Sequence, residues 1–419
     1  MFKVAFYERE ITPPLGCMIP GYFQVRLGSD VRDRLYARAV VIQNDIETIA
    51  MVAIDGSSGV SLDMKKAVCD RVEEYVGIKP ENVLICNTHC HTGIPKEGMD
   101  LNPDGSEKQA SYFEILRKSM ADCIILAYKR LSESEIYYNI GEVKGISFCR
   151  NYFMKDSTPQ TNPGRLNPNI IEPCTEIDYE LPVMFVKGTD GVPKGAIVSF
   201  ACHPDCKGGT EYSGDYISVL SKEMKRLYGE DFVTVFLLGT AGDINHIDVN
   251  REKDTPDHYR KMGKKIAGEV EKTIAFAEPI AGDTVKAKYE VIKIGPRTDI
   301  ILDKNVKVSG DNPLAFALEN EEMMRKIQKE YDVPLQFFQV GDVKFFAFPC
   351  EIFCKFGRKV KENSGASKRF VMTLCNAAYG YVPTQELRCN TIYEAIPGAS
   401  NMDANAGDIM ADKLIEMGK

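Results

Sequence analysis

Two histidines separated by a single residue follow a short apolar segment. Residues 82–88 read Asn-Val-Leu-Ile-Cys-Asn-Thr, and His89 and His91 come soon after the apolar core of this run. Only five histidines occur in the chain, and a second apolar run, residues 196–202, leads in the same way to His203. Imidazole is the commonest metal ligand, and a turn at a strand end can bring two such side chains into one pocket. The spacing therefore permits a metal site, and it equally permits histidines that only make structural hydrogen bonds.

The composition is that of a globular protein with a mixed-charge, acidic surface. The 419 residues are 44% hydrophobic and carry a formal net charge of −8. Charges of both signs are interspersed and no basic stripe is present to bind a phosphate backbone, so we expect no nucleic acid partner. No apolar run reaches the roughly 18 residues of a membrane-spanning helix, and residues 1–10 lack the pattern of a secretory signal. We expect a cytoplasmic protein without stable membrane association; the sequence leaves its oligomeric state open.

Thirteen cysteines are scattered through segments of strand and helix type. An odd count without regular spacing is typical of reduced thiols in the cytosol. Cys202, His203 and Cys206 lie close enough in sequence to hold zinc, but structural zinc sites usually pair one such doublet with a second. The sequence contains no clean second doublet, so buried reduced thiols are the preferred interpretation.

Apolar periodicity predicts strands that alternate with helices. Residues 35–42 and 48–54 are β-branched runs joined by a polar turn and predict a hairpin. Helices are predicted at 61–76, 112–131, 217–227, 258–276, 314–331, 352–362 and 404–417, and further strands at 181–186, 196–201, 233–238, 335–340, 344–348 and 370–374. This alternation indicates an α/β fold with a mixed β-sheet core flanked by helices.

One stretch interrupts the alternation. Residues 156–173, with Pro and Asn throughout, predict a long irregular loop that is either the wall of a site or a plain surface excursion. No stretch has the composition of a linker, so we expect residues 1–419 to form a single catalytic domain.

Six short motifs follow apolar segments in a fixed order. They are His89-Cys90-His91-Thr92-Gly93, Ala201-Cys202-His203, Gly242-Asp243, Pro349-Cys350-Glu351, Tyr379-Gly380-Tyr381-Val382 and Tyr393-Glu394-Ala395. Earlier segments of interest are Ile11-Thr12-Pro13-Pro14, Gly21-Tyr22, Arg34-Leu35-Tyr36-Ala37-Arg38-Ala39 and Arg150-Asn151. Taken in this order, the segments resemble the N-terminal catalytic domain of the neutral, non-lysosomal ceramidase family. No single motif is specific, whereas six in one order are hard to obtain by chance.

The resemblance implies a zinc-dependent hydrolase that cleaves an N-acyl amide bond in a small-molecule substrate. Matched motif by motif, the implied zinc ligands are His89, His203, Glu351 and Tyr381. His91 is implied to face the scissile carbonyl, where it steadies the oxyanion or passes a proton, and Tyr393 to hydrogen-bond the same centre. Arg150 resembles a substrate-orienting residue.

The implied ligands suit this chemistry. Zinc binds N and O ligands at near-tetrahedral geometry and, in a catalytic site, lowers the pKa of water to about 7. Iron, manganese and nickel accept the same ligand types, so the identity of the metal stays open. A ligating histidine also needs an acceptor for its second ring nitrogen. Asp243 and Asp215 are candidates for that acceptor, unless each only caps a turn or a helix.

Departures from the family pattern bear on mechanism and substrate. Relatives carry a serine, proposed as a nucleophile, in the turn after Gly-Asp, and here that turn is Ile244-Asn245. An amide cannot replace a hydroxyl in covalent catalysis, so hydrolysis has to use water, and Asn245 becomes a substrate-binding candidate. The chain is also expected to lack the immunoglobulin-like C-terminal domain of full ceramidases. Both departures favour a smaller or more polar amide than ceramide.

Two alternatives stay open on the sequence alone. The same metal site could hydrolyse an ester or a lactone, because the metal chemistry is shared. Loss of the turn serine at Asn245 favours a catalytically silent, metal-dependent ligand-binding protein. Retention of all implied ligands, together with His91 and Tyr393, favours an enzyme.

Overall fold

A computed structural model of the protein describes residues 1–22, 24–57, 59–95, 97, 106–298, 330–389 and 391–419. Its strands are β1 Lys3–Glu10, β2 Met18–Ile19, β3 Arg26–Leu27, β4 Asp30–Val31, β5 Tyr36–Gln43, β6 Thr48–Ile54, β7 Val83–Asn87, β8 Ser132–Glu142, β9 Phe148–Cys149, β10 Asn151–Met154, β11 Pro159–Thr161, β12 Ile170–Pro173, β13 Glu180–Gly188, β14 Pro193–Phe200, β15 Glu211–Tyr212, β16 Val233–Leu238, β17 Ile244–Asn245, β18 Glu278–Pro279, β19 Val285–Ile294, β20 Tyr331–Val340, β21 Val343–Ala347, β22 Glu351–Ile352, β23 Lys368–Met372 and β24 Tyr381–Val382. Its α-helices are α1 Leu62–Val76, α2 Ser106–Tyr128, α3 Asp215–Tyr228, α4 His258–Ala275, α5 Cys354–Asn363 and α6 Ala406–Met417, and short 3₁₀ turns occupy Pro80–Asn82, Gln385–Leu387 and Tyr393–Ala395.

Two sheets form the core. The larger has the order β16-β14-β13-β8-β1-β5-β6-β7, with β18 also paired to β8. Its pairs are antiparallel except at the two edges, where β14 runs parallel to β16 and β6 parallel to β7. The smaller has the order β19-β20-β21-β23, with β21 and β23 parallel. In a parallel pair the carboxyl ends of both strands lie at the same edge of the sheet. The loops that follow the two strands therefore begin close together.

Strand residues alternate between two hydrophobic layers. On β5, Ala39 and Val41 pack with helices α1 and α2, whereas Val40 and Ile42 pack against the smaller sheet. Helices α3 and α4 cover the same outer side farther along the larger sheet, and α5 and α6 cover the outer side of the smaller sheet. The period of two residues in the apolar pattern thus builds four layers, in the order helices, sheet, sheet, helices. The predicted α/β fold with a mixed sheet is confirmed.

Most predicted elements are confirmed, with boundaries shifted by a few residues. The predicted hairpin is the antiparallel pair β5 and β6. The predicted helix at 61–76 is α1, which begins after the N-cap Ser61, whose side chain accepts from the Met64 amide at 3.0 Å. Residues 314–329 of another predicted helix lie outside the described residues, and Tyr331 at its end instead begins β20.

Other predictions at this level are wrong. The stretch 156–173 is not wholly irregular, because β11 and β12 within it pair with β10 in a three-stranded sheet. Strands β1, β8 and β19 were not predicted, since charged residues interrupt their apolar pattern. Among the described residues, no helix combines the length and apolar character needed to cross a membrane.

Lys65 is a charged residue placed inside the protein, on α1. Its ammonium lies 4.3 Å from the centroid of the Tyr289 ring and 3.4 Å from the Val83 carbonyl oxygen, and burial lowers its pKa to about 8. Below that pH the folded state holds a buried charge. We expect Lys65→Met to raise the free energy of unfolding at pH 7 by up to about 3 kcal/mol, measured by urea unfolding.

The sign of the pH dependence provides the check. Between the folded pKa of about 8 and the usual value of 10.5 the unfolded chain binds more protons, so the wild-type protein gains stability as pH rises through this window. The advantage of Lys65→Met should therefore be largest below pH 8, decrease as pH rises through this window and disappear near pH 10.5. The matched control is Lys66→Met, at an exposed neighbour. A destabilised Lys65→Met protein at pH 7 would contradict the prediction.

Candidate metal centre

Residues 373–376, which follow β23, hydrogen-bond to both edges of the larger sheet. The Asn87 amide donates to the Leu374 carbonyl at 3.2 Å, and the Thr373 amide donates to the Leu238 carbonyl at 2.9 Å. The segment therefore joins the carboxyl ends of β7 and β16. The candidate site is built from the loops that leave these strands and their neighbours β14 and β21.

His89 lies in the turn directly after β7. Its φ of 66° is in the left-handed region that L residues rarely adopt, and its amide donates to Asn87 Oδ1 at 2.8 Å. Backbone strain of this kind costs on the order of 1–3 kcal/mol and clusters at functional sites. The turn brings the Nε2 atoms of His89 and His91 to 3.4 Å from each other. The two imidazoles therefore share one site.

His203 follows β14, and backbone carbonyls set its tautomer. Its Nδ1 lies 2.8 Å from the Ala241 carbonyl oxygen and 3.0 Å from that of Ile244, so Nδ1 carries the proton and donates. Nε2 is left with a lone pair. Burial, and next the charge of Arg150, lower the pKa of His203. The ring is therefore neutral at pH 7 and suited to bind a cation through Nε2.

Glu351 and Tyr381 are brought together by the short parallel pair β22 and β24. The two residues are register partners, and the Glu351 amide donates to the Gly380 carbonyl at 2.8 Å. Register partners in a ladder direct their side chains to the same face. The Tyr381 amide donates to the Ala399 carbonyl at 2.8 Å, which fixes the other side of the strand. A carboxylate and a phenol thus point the same way although 29 residues separate them.

Four oxygen and nitrogen donors converge on one point. Glu351 Oε2 lies 3.0 Å from His89 Nε2 and 3.3 Å from His203 Nε2, and the Tyr381 hydroxyl lies 3.4 Å from His203 Nε2. Four ligands at 2.0–2.1 Å around a tetrahedral ion are about 3.3 Å apart. Burial acts to raise the pKa of Glu351, but His89 and His203 outweigh it and hold that pKa well below its usual range. The donors and their spacing fit a divalent metal ion.

His91 lies beside this group. Its amide donates to the Pro204 carbonyl at 3.0 Å, and its ring packs edge-on against Tyr22 with centroids 5.4 Å apart. A Cβ at Gly21, where φ is 103°, would come within 2.9 Å of the imidazole Cγ, so glycine there leaves room for the ring. Burial, and next His89, hold the pKa of His91 well below its usual value. At pH 7 the imidazole is neutral and has one N–H to donate.

Arg150 and Tyr393 lie next to Tyr381 on another side of the site. The Arg150 guanidinium carbon is 5.2 Å from the centroid of the Tyr381 ring, and its Nη2 donates to the Gly242 carbonyl at 2.6 Å. Arg150 also forms a buried ion pair with Glu394. The Tyr393 ring meets the Tyr381 ring edge-on at 5.5 Å. Two of the residues that the resemblance associated with the substrate thus lie next to one of the candidate ligands, Tyr381.

Asn245 is buried and already hydrogen-bonded. Its Nδ2 donates to Asn162 Oδ1 at 2.9 Å, and its Oδ1 accepts from the Ile247 amide at 3.0 Å. The second N–H of its amide is the group that it can still offer to a substrate. The side chain carries no nucleophile, so this turn cannot supply a covalent intermediate.

The prediction that Asp243 or Asp215 accepts a hydrogen bond from a candidate ligand is wrong. Asp243 accepts from the Cys354 amide at 2.7 Å and the Thr175 hydroxyl at 2.7 Å. Asp215 accepts from the amides of Lys207 and Tyr216, at 2.7 and 2.6 Å. The physical reason is that His203 Nδ1 donates to main-chain carbonyl oxygens of the neighbouring turn, those of Ala241 and Ile244, and so needs no carboxylate acceptor. Both carboxylates instead hold backbone amides.

Glu394 was missed as part of the site, although its motif was recognised. It is fully buried, and its Oε2 accepts from the Thr161 hydroxyl at 2.7 Å. A signal was available, because residues 392–396 read Ile-Tyr-Glu-Ala-Ile, and a carboxylate inside an apolar run needs a cation or several donors. Arg150 is that cation.

Comparison with known proteins gives a single family. The family model of the neutral/alkaline non-lysosomal ceramidase N-terminal domain matches residues 3–245. The match includes His89 and His203 and ends before Glu351 and Tyr381. Neutral ceramidase B of Dictyostelium discoideum is 22% identical over 244 residues, which are 53% of this chain and 32% of that protein. The matched region thus spans about a third of the length of this curated relative.

Two solved structures are similar along the whole chain. The neutral ceramidase from Pseudomonas aeruginosa superimposes with a TM-score of 0.75 at 18% identity, over 100% of this chain and 74% of that one. A ceramidase complexed with C2 gives a TM-score of 0.76 at 18% identity with the same coverage. At this identity the likeness establishes a shared fold, which includes the residues beyond 245 that the family model does not match.

Proposed function

Because this chain belongs to the neutral/alkaline non-lysosomal ceramidase family, we propose that it is a zinc-dependent hydrolase of a linear N-acyl amide bond. The observation that carries the proposal is the convergence of His89, His203, Glu351 and Tyr381, in which Glu351 Oε2 lies 3.0 and 3.3 Å from the two imidazole Nε2 atoms and the Tyr381 hydroxyl lies 3.4 Å from that of His203. An ordinary buried carboxylate needs one cation or a few amide donors. Two imidazoles whose Nε2 atoms face one carboxylate, with a phenol next to them, are better explained as metal ligands.

The site residues have separate tasks in the proposed reaction. When bound, the metal ion supplies a Lewis acid that activates water and polarises the amide carbonyl. The carbonyl pair on His203 Nδ1 keeps its Nε2 directed at the ion, and the low pKa of Glu351 keeps its carboxylate ionised. His91, neutral and adjacent, donates its N–H to the oxyanion or carries a proton to the leaving amine.

We assign the remaining residues to the substrate side. Tyr393 donates its hydroxyl to the same reacting centre as His91. Burial raises the pKa of Tyr393 above its usual range, so the hydroxyl keeps its proton. Arg150 orients the substrate and holds Tyr381, and Asn245 offers its second amide N–H. We propose that the acyl group and the amine are smaller or more polar than those of ceramide.

The first experiment compares bound metal in the wild-type protein, His89→Ala and Glu351→Ala. We expect zinc in the wild-type protein and one equivalent per chain fewer in each variant, measured by elemental analysis of the purified proteins. The matched control is Glu362→Gln, at an exposed carboxylate on α5, which should keep the full content. N-acyl amides, esters and lactones are then screened with the wild-type protein. Equal metal in all four proteins would exclude the proposed ligand set.

A further inference from the structure

All five histidines fall into two groups, and the proposed hydrolysis uses only the first. The second group consists of Cys206, His246 and His258, with one ligand atom of each residue within 4.8 Å of the others. Cys206 ends the turn that begins at His203, and His246 follows β17. His258 is the first residue of α4. Residues far apart in sequence thus place a thiol and two imidazoles together.

A carboxylate orients the imidazole of His246. Its Nδ1 donates to Asp205 Oδ1 at 2.8 Å, so in the neutral ring the lone pair is on Nε2. This is the arrangement in which a histidine typically binds a metal, with a carboxylate on the nitrogen that does not bind. Nε2 lies 3.5 Å from Asp254 Oδ2, so a second carboxylate is close to the same point. Arg165 lies 2.6 Å from that oxygen and holds it in place.

Each of the other two side chains has a hydrogen-bond partner, Asp215 for the Cys206 thiol and the His246 main chain for His258. His258 Nε2 is buried and makes no hydrogen bond within the described part of the chain. Its ring centroid is 5.3 Å from that of His246. The Cys206 sulfur has the Met262 sulfur as its neighbour, at 3.2 Å, and a thioether is a weak acceptor. A buried ring nitrogen without a partner costs free energy, which a bound cation would remove.

We propose that Cys206, His246 and His258 bind a second metal ion, with Asp254 in the fourth position. A thiolate, two imidazoles and a carboxylate suit zinc and its neighbours in the first transition row rather than magnesium or calcium. Four protein ligands leave no place for water, so the ion is structural. It ties the turn of His203 and the segment after β17 to the start of α4. That turn and that segment also hold the first site.

The two sites are distinguishable because only the second contains sulfur. Protein freed of metal by a chelator is titrated with Co²⁺, and absorption is recorded in the near-ultraviolet, where thiolate-to-cobalt charge transfer appears. We expect this band in the wild-type protein and in His89→Ala, and its loss in Cys206→Ser. Cys389→Ser removes another partly exposed thiol and is the matched control, which should keep the band.

Metal content gives a second readout that does not depend on absorption. We expect two zinc ions per wild-type chain, one in His89→Ala and one in His258→Gln, with X-ray absorption of the wild-type protein detecting one sulfur ligand. Because that last measurement needs no variant, misfolding of Cys206→Ser cannot mask the answer. One zinc per wild-type chain, lost in His89→Ala and without a sulfur neighbour, would overturn this second site and leave the proposed hydrolase standing. Failure of the hydrolase proposal would instead appear as unchanged metal in His89→Ala.

Discussion

Replacement of His91 by alanine is expected to lower kcat on the best N-acyl substrate by about 10²–10³-fold, without loss of metal. The reason is the role proposed for His91, which is to donate a hydrogen bond next to the metal ion and not to bind the ion. Its Nε2 lies 3.4 Å from that of His89, and burial keeps the ring neutral with one N–H available. A donor held at the reacting centre acts mainly on the transition state, so KM should change much less than kcat. Steady-state kinetics and metal analysis on the same preparation test this expectation.

Free imidazole offers a sharper test of the same role. If the side chain of His91 acts directly, added imidazole should restore part of the activity of His91→Ala. It should restore no activity to His89→Ala, because that variant is expected to have lost the metal ion. Thr92→Val is the matched control within the turn, because it removes the hydrogen bond from Thr92 to the Ser213 carbonyl but leaves the imidazole. Loss of metal from His91→Ala would make His91 a ligand, and an unchanged kcat would remove it from the mechanism.

The fold could be predicted where apolar runs are uninterrupted. Buried edge pairs such as β14 and β16 are apolar along most of their length, so a short window identifies them. Strand β8 begins Ser-Glu-Ser-Glu, and β19 alternates lysines with apolar residues, so their strand character depends on pairing partners far away in sequence. Strand order and the four-layer arrangement depend on the same long-range pairs. The sequence alone could not provide them.

Some residues of the site could likewise be predicted from the sequence, and others could not. His89 and His203 were identifiable as candidates from residue type and position, because each follows an apolar strand. Glu351 and Tyr381 were reached only through the family resemblance, since a two-residue parallel pair leaves no periodic signal. The acceptors for His203 Nδ1 were mispredicted because main-chain carbonyls are invisible in a list of residue types. Nothing in the sequence groups Cys206 with His246 and His258, which lie 40 and 52 residues farther along the chain.

Arg150→Met is expected to reduce the free energy of unfolding by about 3–5 kcal/mol, because it leaves Glu394 buried without its cation. Arg150 is 6% exposed and Glu394 is fully buried, so water cannot take over the lost interaction. Urea unfolding of Arg150→Met beside the wild-type protein measures the loss. Lys355→Met breaks an ion pair with Glu386 whose side chains are 58% and 66% exposed, and it is expected to have a much smaller effect.

The double variant Arg150→Met with Glu394→Leu separates stability from function. Removing both charges takes away the unpaired carboxylate, so most of the lost stability should return. Activity should not return, because the guanidinium 5.2 Å from the Tyr381 ring, and its hydrogen bond to the Gly242 carbonyl, are still missing. A low kcat in a stable double variant would identify Arg150 as a residue that positions Tyr381 and the substrate. Recovery of kcat together with stability would reduce Arg150 to a structural charge.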